Sequence, residues 1–327
     1  MELPAALRQG VEQALAGIAP ADLARAAARL SQRYRAEVRD GRFHIGDDRA
    51  ALAYLATRLP ATYAAVRAAM EQVAVARPDF APAALLDVGA GPGTALWAAA
   101  DCWPDLDQAL LVEASASVRG WGERLTQAGP IARVDWRAMD FSQGLPETPP
   151  RDLVTAAYVL DEIDAETRRA LTARLWALTR GVLLIVEPGT PAGFARILAV
   201  RAQLIAASAH LLAPCPHAQA CPIVAPDWCH FARRVARSRA HRLAKGAEVP
   251  WEDEKFAYVA AARIPALDEP ARVVGPPRQA GGRAWLKLCR PDGTLAERMF
   301  TRRDGDAYKA ARRARWGDAV PTDAEEK

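Results

Sequence analysis

The chain has 327 residues, 51% hydrophobic and 25% charged, with a formal net charge of +4. That length allows two domains or one large domain with additions, and the composition is that of an ordinary globular protein. The opening MELPAALRQGVEQAL lacks the basic and apolar regions of a secretion signal. The most apolar stretch, residues 193–214, is interrupted by Arg196 and Arg201. Secretion and membrane spanning are therefore not expected, and the expectation is a cytoplasmic monomer with reduced thiols.

Residues 1–80 read as a helical region. Leu23, Ala27, Leu30, Tyr34 and Val38 recur at helical spacing, with Arg25, Arg29 and Arg33 elsewhere around the helix. A second helix, DDRAALAYLATRL, stops before Pro60, which can open the next at its first turn. ARPDFAP then breaks the pattern.

From Ala84 short apolar runs alternate with amphipathic segments. ALLDVG, ALLVEA, ARVDWRAM, DLVTAAYVL and GVLLIVEPG read as strands joined mostly by helices, the pattern of a parallel sheet. The expected layout is this core over 81–212, ending in a long helix (192–212), then a Cys-rich loop with a basic helix (213–250). C-terminal strands and a basic tail (251–327) would complete the sheet, with PDGT as a hairpin turn between the last two strands.

LLDVGAGPGTALWAAA is a strand, a glycine turn and a helix. Gly89, Gly91 and Gly93 follow the acidic Asp87, and glycine lets a ligand press on the backbone. Glu113 ends the second strand, 20 residues after Gly93, where a carboxylate can hold a ribose diol. With Pro92 after the second glycine and MDF at 139–141, the turn resembles the S-adenosylmethionine methyltransferase loop rather than a dinucleotide site. In that fold the residue matching Asp140 meets the adenine amine, and those matching Gly89 and Gly91 line the methionine end. Tyr158 and Asp161 are candidates for the pocket wall, although Asp161 could equally cap the next helix. The fourth strand ends in AAYVLDEI rather than an Asn/Asp-Pro-Pro-aromatic motif, so no dedicated catalyst is legible.

Cys215, Cys221 and Cys229 fall within fifteen residues, and Cys289 follows sixty residues later. None forms the tight C-x-x-C pair usual in structural zinc sites. Loose spacing with one remote ligand suits the separated corners of a 4Fe–4S cluster, while His217 and His230 keep zinc open. Residues 1–229 hold 22 Lys and Arg against 25 Asp and Glu, whereas residues 230–327 hold 21 against 14. Read as a helix, HFARRVARSRAHRLAK puts His230, Arg234, Arg237, His241 and Lys245 on one face. With Arg233, Arg242, Arg312 and Arg313, this points to a polyanionic partner, RNA.

RLPATYAAV, LLDVGAGPGTALWAA, VEPGTPAGF, CPHAQACP, DWCHFARRVARSR, EDEKFAYVAAAR and YKAARRARWGD together resemble the Rsm-type, methyltransferase-like proteins of the small ribosomal subunit of bacteria and mitochondria. The resemblance implies a Rossmann-like class I S-adenosylmethionine methyltransferase fold, a mostly parallel seven-stranded α/β sheet. It also implies S-adenosylmethionine binding and a 4Fe–4S cluster on cysteines matching Cys215, Cys221, Cys229 and Cys289. The expected role is RNA-directed, on small-subunit ribosomal RNA or the immature small subunit. The alternative is a non-catalytic assembly factor on a vestigial methyltransferase fold.

Overall fold

The computed structural model describes residues 1–36 and 43–321. Val38, counted above in the first helical stripe, lies outside them. Four helices lead: α1 (Ala5–Ala14), α2 (Pro20–Arg35), α3 (Asp48–Thr57) and α4 (Leu59–Ala76). Asp47 caps α3 by accepting from the Ala50 amide, and Pro60 sits in the first turn of α4, where its missing N–H costs nothing.

The alternating region follows as β1 (Ala84–Val88), α5 (Thr94–Cys102), β2 (Gln108–Val112), α6 (Ala116–Gln127), β3 (Arg133–Arg137), β4 (Arg151–Ala157), α7 (Ala165–Ala177), β5 (Thr179–Pro188) and α8 (Pro191–Ala206). All five apolar runs are strands. The expected long helix is shorter. Ser208 takes a left-handed backbone (φ 57°), and His210–Ala213 form β6. The rest of the chain adds β7 (Phe231–Ala236), α9 (Arg239–Lys245), β8 (Trp251–Ala262), β9 (Ala271–Val273), β10 (Arg278–Ala280), β11 (Arg283–Cys289), β12 (Leu295–Thr301), α10 (Gly305–Arg313) and β13 (Ala319–Val320).

Seven strands run in the order β3-β2-β1-β4-β5-β8-β6, with β7 paired to β8 as an eighth. β1 to β5 are mutually parallel, and β8 runs antiparallel to both β5 and β6. The order reverses between β1 and β4, which opens a crevice at the carboxyl ends of those strands. This is the class I S-adenosylmethionine methyltransferase fold.

Side-chain alternation divides the core. Leu85, Leu111 and Leu153 pack with Leu55, Met70 and Leu96 of the helices on one face. Their neighbours Leu86, Leu110 and Val154 pack with Leu171, Leu175, Ile197 and Val200 on the other.

Two expectations are corrected. Of the strands after residue 250, only β8 joins the main sheet; β9 to β13 form a separate five-stranded sheet. Pro265, Pro270, Pro276 and Pro277 interrupt the chain after β8, and proline cannot continue a central ladder. The expected basic helix is instead the strand β7 followed by the short α9. Its buried Phe231 and Val235 are four residues apart, a spacing that fits the strand period as well as the helical one. The acidic edge of β8 decides between them: Arg233 faces Glu254, Arg234 faces Asp253 and Val235 faces Glu252 across the ladder.

Candidate functional site

The turn after β1 is built by glycine. Gly89, Gly91 and Gly93 have φ of 68°, 55° and 81°, and Gly93 caps α5 in the left-handed conformation. A Cβ on Gly89 would lie 2.3 Å from Val159 Cγ1, so that position tolerates no side chain. The Gly91 amide donates to Glu113 Oε2 at 2.9 Å, and the Ser115 amide donates to Glu113 Oε1 at 2.8 Å.

These residues open on a cavity of about 470 Å3 along the carboxyl edge of the sheet. Strand order sets their sequence along it. Asp140 follows β3, Glu113 follows β2, Gly89 and Gly91 follow β1, and Tyr158 follows β4; all five line the cavity. Asp140 Oδ1 accepts the Ser142 amide at 2.8 Å. Asp87 and Gly93 do not line it. Asp87 is buried beneath the turn, where Thr155 Oγ1 donates to it at 2.7 Å, and burial pushes its carboxyl up to about 7.

The opposite wall comes from the N-terminal helices, which carry no local signature of a site. Tyr34, Tyr54, Arg58 and Thr62 face the cavity, and His44 lines it stacked on Tyr34 with ring centroids 4.8 Å apart. Tyr158 has a left-handed backbone (φ 59°), and its hydroxyl donates to Glu254 Oε1 at 3.0 Å. Strain of this kind gathers at functional sites.

Asp161 is buried on the wall and is not the cap of α7. Asp164 takes that role, accepting from the Glu166 and Thr167 amides. Beside it, burial and the neighbouring carboxylates of Asp161, Glu113 and Glu187 push Glu162 up to about 8. Glu187 is pushed up to about 7 by burial and Asp161, against the pull of its ion pair with Arg196.

A second, much smaller cavity of about 30 Å3 collects the cysteines. Cys215, Cys221 and Cys229 from the loop after β6 line it with Cys289 at the end of β11, together with His217. Arg201 Nε donates to Cys215 Sγ at 3.3 Å, and its Nη2 donates to the carbonyls of His217 and Gln219. Burial raises the thiols of Cys215 and Cys229 and pushes Cys289 up to about 12. Arg201 and Arg272 pull against that rise at Cys215 and Cys289. Among the described residues no group of three or more His, Cys, Asp or Glu is disposed to hold a metal ion. Cys102 lies apart, at the end of α5.

Most basic residues singled out in the sequence are engaged within the chain. Arg233 pairs with Glu71, Arg234 with Asp253, and Arg237 and Lys245 with Glu252. Arg234 also lies over the Trp251 ring at 3.8 Å. Burial alone would raise Glu252, yet hydrogen bonds from His241, Arg237 and Lys245 hold it well below the usual carboxylate range. Arg242, Arg312 and Arg313 are exposed.

The family described as mitochondrial small ribosomal subunit Rsm22 matches residues 48–321. The human ribosome assembly protein METTL17, mitochondrial, is 30% identical over 290 residues, covering 83% of this chain and 62% of that protein. Rsm22-cox11 tandem protein 2, mitochondrial, of Schizosaccharomyces pombe is 25% identical over 326 residues, covering 83% of this chain and 43% of that one. The chain thus spans less than two thirds of the length of these curated relatives. Among solved structures, magnesium protoporphyrin IX methyltransferase (ChlM) from Synechocystis PCC 6803 with bound SAM is similar at 14% identity with a TM-score of 0.41, covering 72% of this chain and 91% of that one.

Proposed function

The chain belongs to the Rsm22 family, and we propose that it binds S-adenosylmethionine in the larger cavity and acts on small-subunit ribosomal RNA during subunit assembly. The carrying observation is that Gly89, Gly91, Glu113, Asp140 and Tyr158 share one cavity at the switch point of the sheet. Its volume is that of an ordinary small-molecule site. Each Glu113 oxygen accepts one backbone amide and keeps a lone pair for a ribose hydroxyl. Asp140 keeps Oδ2 for the adenine amine. The donor, when bound, supplies an electrophilic methyl group on a sulfonium. The protein's own contribution is to hold an acceptor in line with it and exclude water.

A non-catalytic assembly role is the second reading, and the end of β4 favours it. Tyr158 spends its hydroxyl proton on Glu254, and no Asn/Asp-Pro-Pro-aromatic motif stands there to receive an amine. The relative METTL17 is named for ribosome assembly. Labelled methyl transfer to immature small subunits, run beside an equilibrium measurement of donor binding, separates the two. Donor binding without transfer would leave assembly as the function.

The four thiols around one cavity support a 4Fe–4S cluster held by Cys215, Cys221, Cys229 and Cys289, with Arg201 and Arg272 offsetting thiolate charge. Such a cluster, when bound, would tie the loop after β6 to the small sheet through Cys289. The exposed Arg242, Arg312 and Arg313 would make phosphate contacts to RNA.

A further inference from the structure

The wall of the larger cavity is electrostatically lopsided. Glu113, Asp140, Asp161 and Glu162 all line it. Among the described residues its lining carries two guanidiniums, Arg35 and Arg58. Arg35 is exposed and donates to the Ser31 carbonyl at 3.3 Å. Arg58 is the partly buried one, its side chain 27% exposed, at the junction of α3 and α4.

Arg58 Nη2 lies 3.4 Å from Glu254 Oε1, the oxygen that also accepts from Tyr158. Its Nε and Nη1 donate to no other described residue. Tyr54, Arg58 and Thr62 are spaced four residues apart and all face the cavity. The Tyr54 hydroxyl lies 3.2 Å from Thr62 Oγ1 and 4.0 Å from where a Cβ on Gly91 would stand. Arg58 therefore belongs to the wall across from the glycine turn, at the β1–β4 end of the cavity and away from Asp140.

S-adenosylmethionine carries two cationic groups, the sulfonium and the ammonium, and one carboxylate. The carboxylates of Glu113, Asp140 and Asp161 suit the cations and repel the carboxylate. We infer that Arg58 binds the α-carboxylate of the donor, with Glu254 fixing the orientation of its guanidinium. The inference rests on the donor reading above. A guanidinium suits a carboxylate because its planar fork can donate two parallel hydrogen bonds, and both charges strengthen them.

The test compares two ligands on the full chain: S-adenosylmethionine, and its decarboxylated analogue, which keeps the adenosine and the sulfonium. Dissociation constants are measured by calorimetry for the native protein and for Arg58→Gln. The expected result is a loss of about 10- to 100-fold for S-adenosylmethionine and less than about 3-fold for the analogue. Equal losses for both ligands would mean that Arg58 only shapes the wall, and no loss for either would remove it from the site; each overturns the inference while leaving the donor reading intact. Failure of the native protein to bind S-adenosylmethionine overturns both. Should Arg58→Gln not fold, Arg58→Lys decides in the same way, by selective or equal weakening.

Discussion

The Gly91 amide donates to Glu113 Oε2 at 2.9 Å, joining the turn after β1 to the end of β2. The same carboxylate also receives the Ser115 amide, so one side chain sets the shape of the cavity floor and faces the ligand. Glu113→Ala leaves two amides without their acceptor and removes the partner proposed for the ribose. We expect donor affinity to fall about 10- to 100-fold and stability by about 2–4 kcal/mol. Glu113→Gln, which still accepts with its carbonyl oxygen, should recover part of the stability. Calorimetry and thermal melts on both variants check this, and an Ala variant that binds the donor normally would remove Glu113 from the site.

Glu162 gives the ligand-free protein a recognisable pH dependence. Its carboxyl is pushed up to about 8, against about 4.3 in an unfolded chain. Between those values the native state keeps a proton that the unfolded state has released, so stability falls as pH rises through the window. Glu187 and Asp87, both pushed up to about 7, act with the same sign. Glu162→Gln should match the native protein at pH 5 and exceed it at pH 8 by on the order of 1–2 kcal/mol, a few degrees in Tm. A variant no more stable than the native protein at pH 8 would contradict the assignment.

How far the site was legible follows from the range of the signals. The five strands, the glycine turn, Glu113 and Asp140 are marked by local pattern, because strand period and left-handed glycine act over a few residues. Arg58 and Tyr54 are invisible at that range. They reach the cavity only because α3 and α4 pack over the sheet edge, and although RLPATYAAV carries part of the family resemblance, nothing in it marks a ligand contact. The basic segment misled for a different reason. Phe231 and Val235 satisfy two periods at once, and the residues that choose between them, Glu252 to Glu254, lie some twenty positions further on.

That pairing changes what the basic residues can do. Arg237 and Lys245 are held by Glu252, whose carboxylate stays charged well below the usual range. A carboxyl depressed in this way contributes stability above its unfolded pKa, near 4.3, and loses it as pH falls through the folded value. Arg237→Ala should therefore cost about 1–3 kcal/mol at pH 7 by leaving Glu252 short of a partner, with a smaller loss in acid. Its effect on RNA affinity should be small. Urea melts at pH 7 and pH 3 distinguish this from a residue that only touches RNA.

Arg242, Arg312 and Arg313 are exposed, so they can meet phosphates without first breaking a buried pair. Replacing any one with Ala should weaken binding to small-subunit ribosomal RNA and lower the salt slope by about 0.7–0.9. An unchanged slope for all three would place the RNA surface elsewhere on the molecule.

The cysteine cavity is tested last, by metal content rather than by activity. Four thiols from two separate parts of the chain line one apolar site, and burial keeps those of Cys215, Cys229 and Cys289 protonated until a metal displaces the protons. Protein purified without oxygen should carry about four irons and four sulfides per chain and show visible absorption that fades in air. Cys289→Ser should lose the metal as completely as Cys221→Ser, although sixty-eight residues separate them, because both close the same cavity. Loss in the loop variant alone would mean that Cys289 is core and the ligand set is incomplete. One zinc without sulfide would replace the cluster with a single ion. No metal in native protein purified without oxygen would leave Cys221, Cys229 and Cys289 as packing in the cluster they already form with Ile223 and Val274.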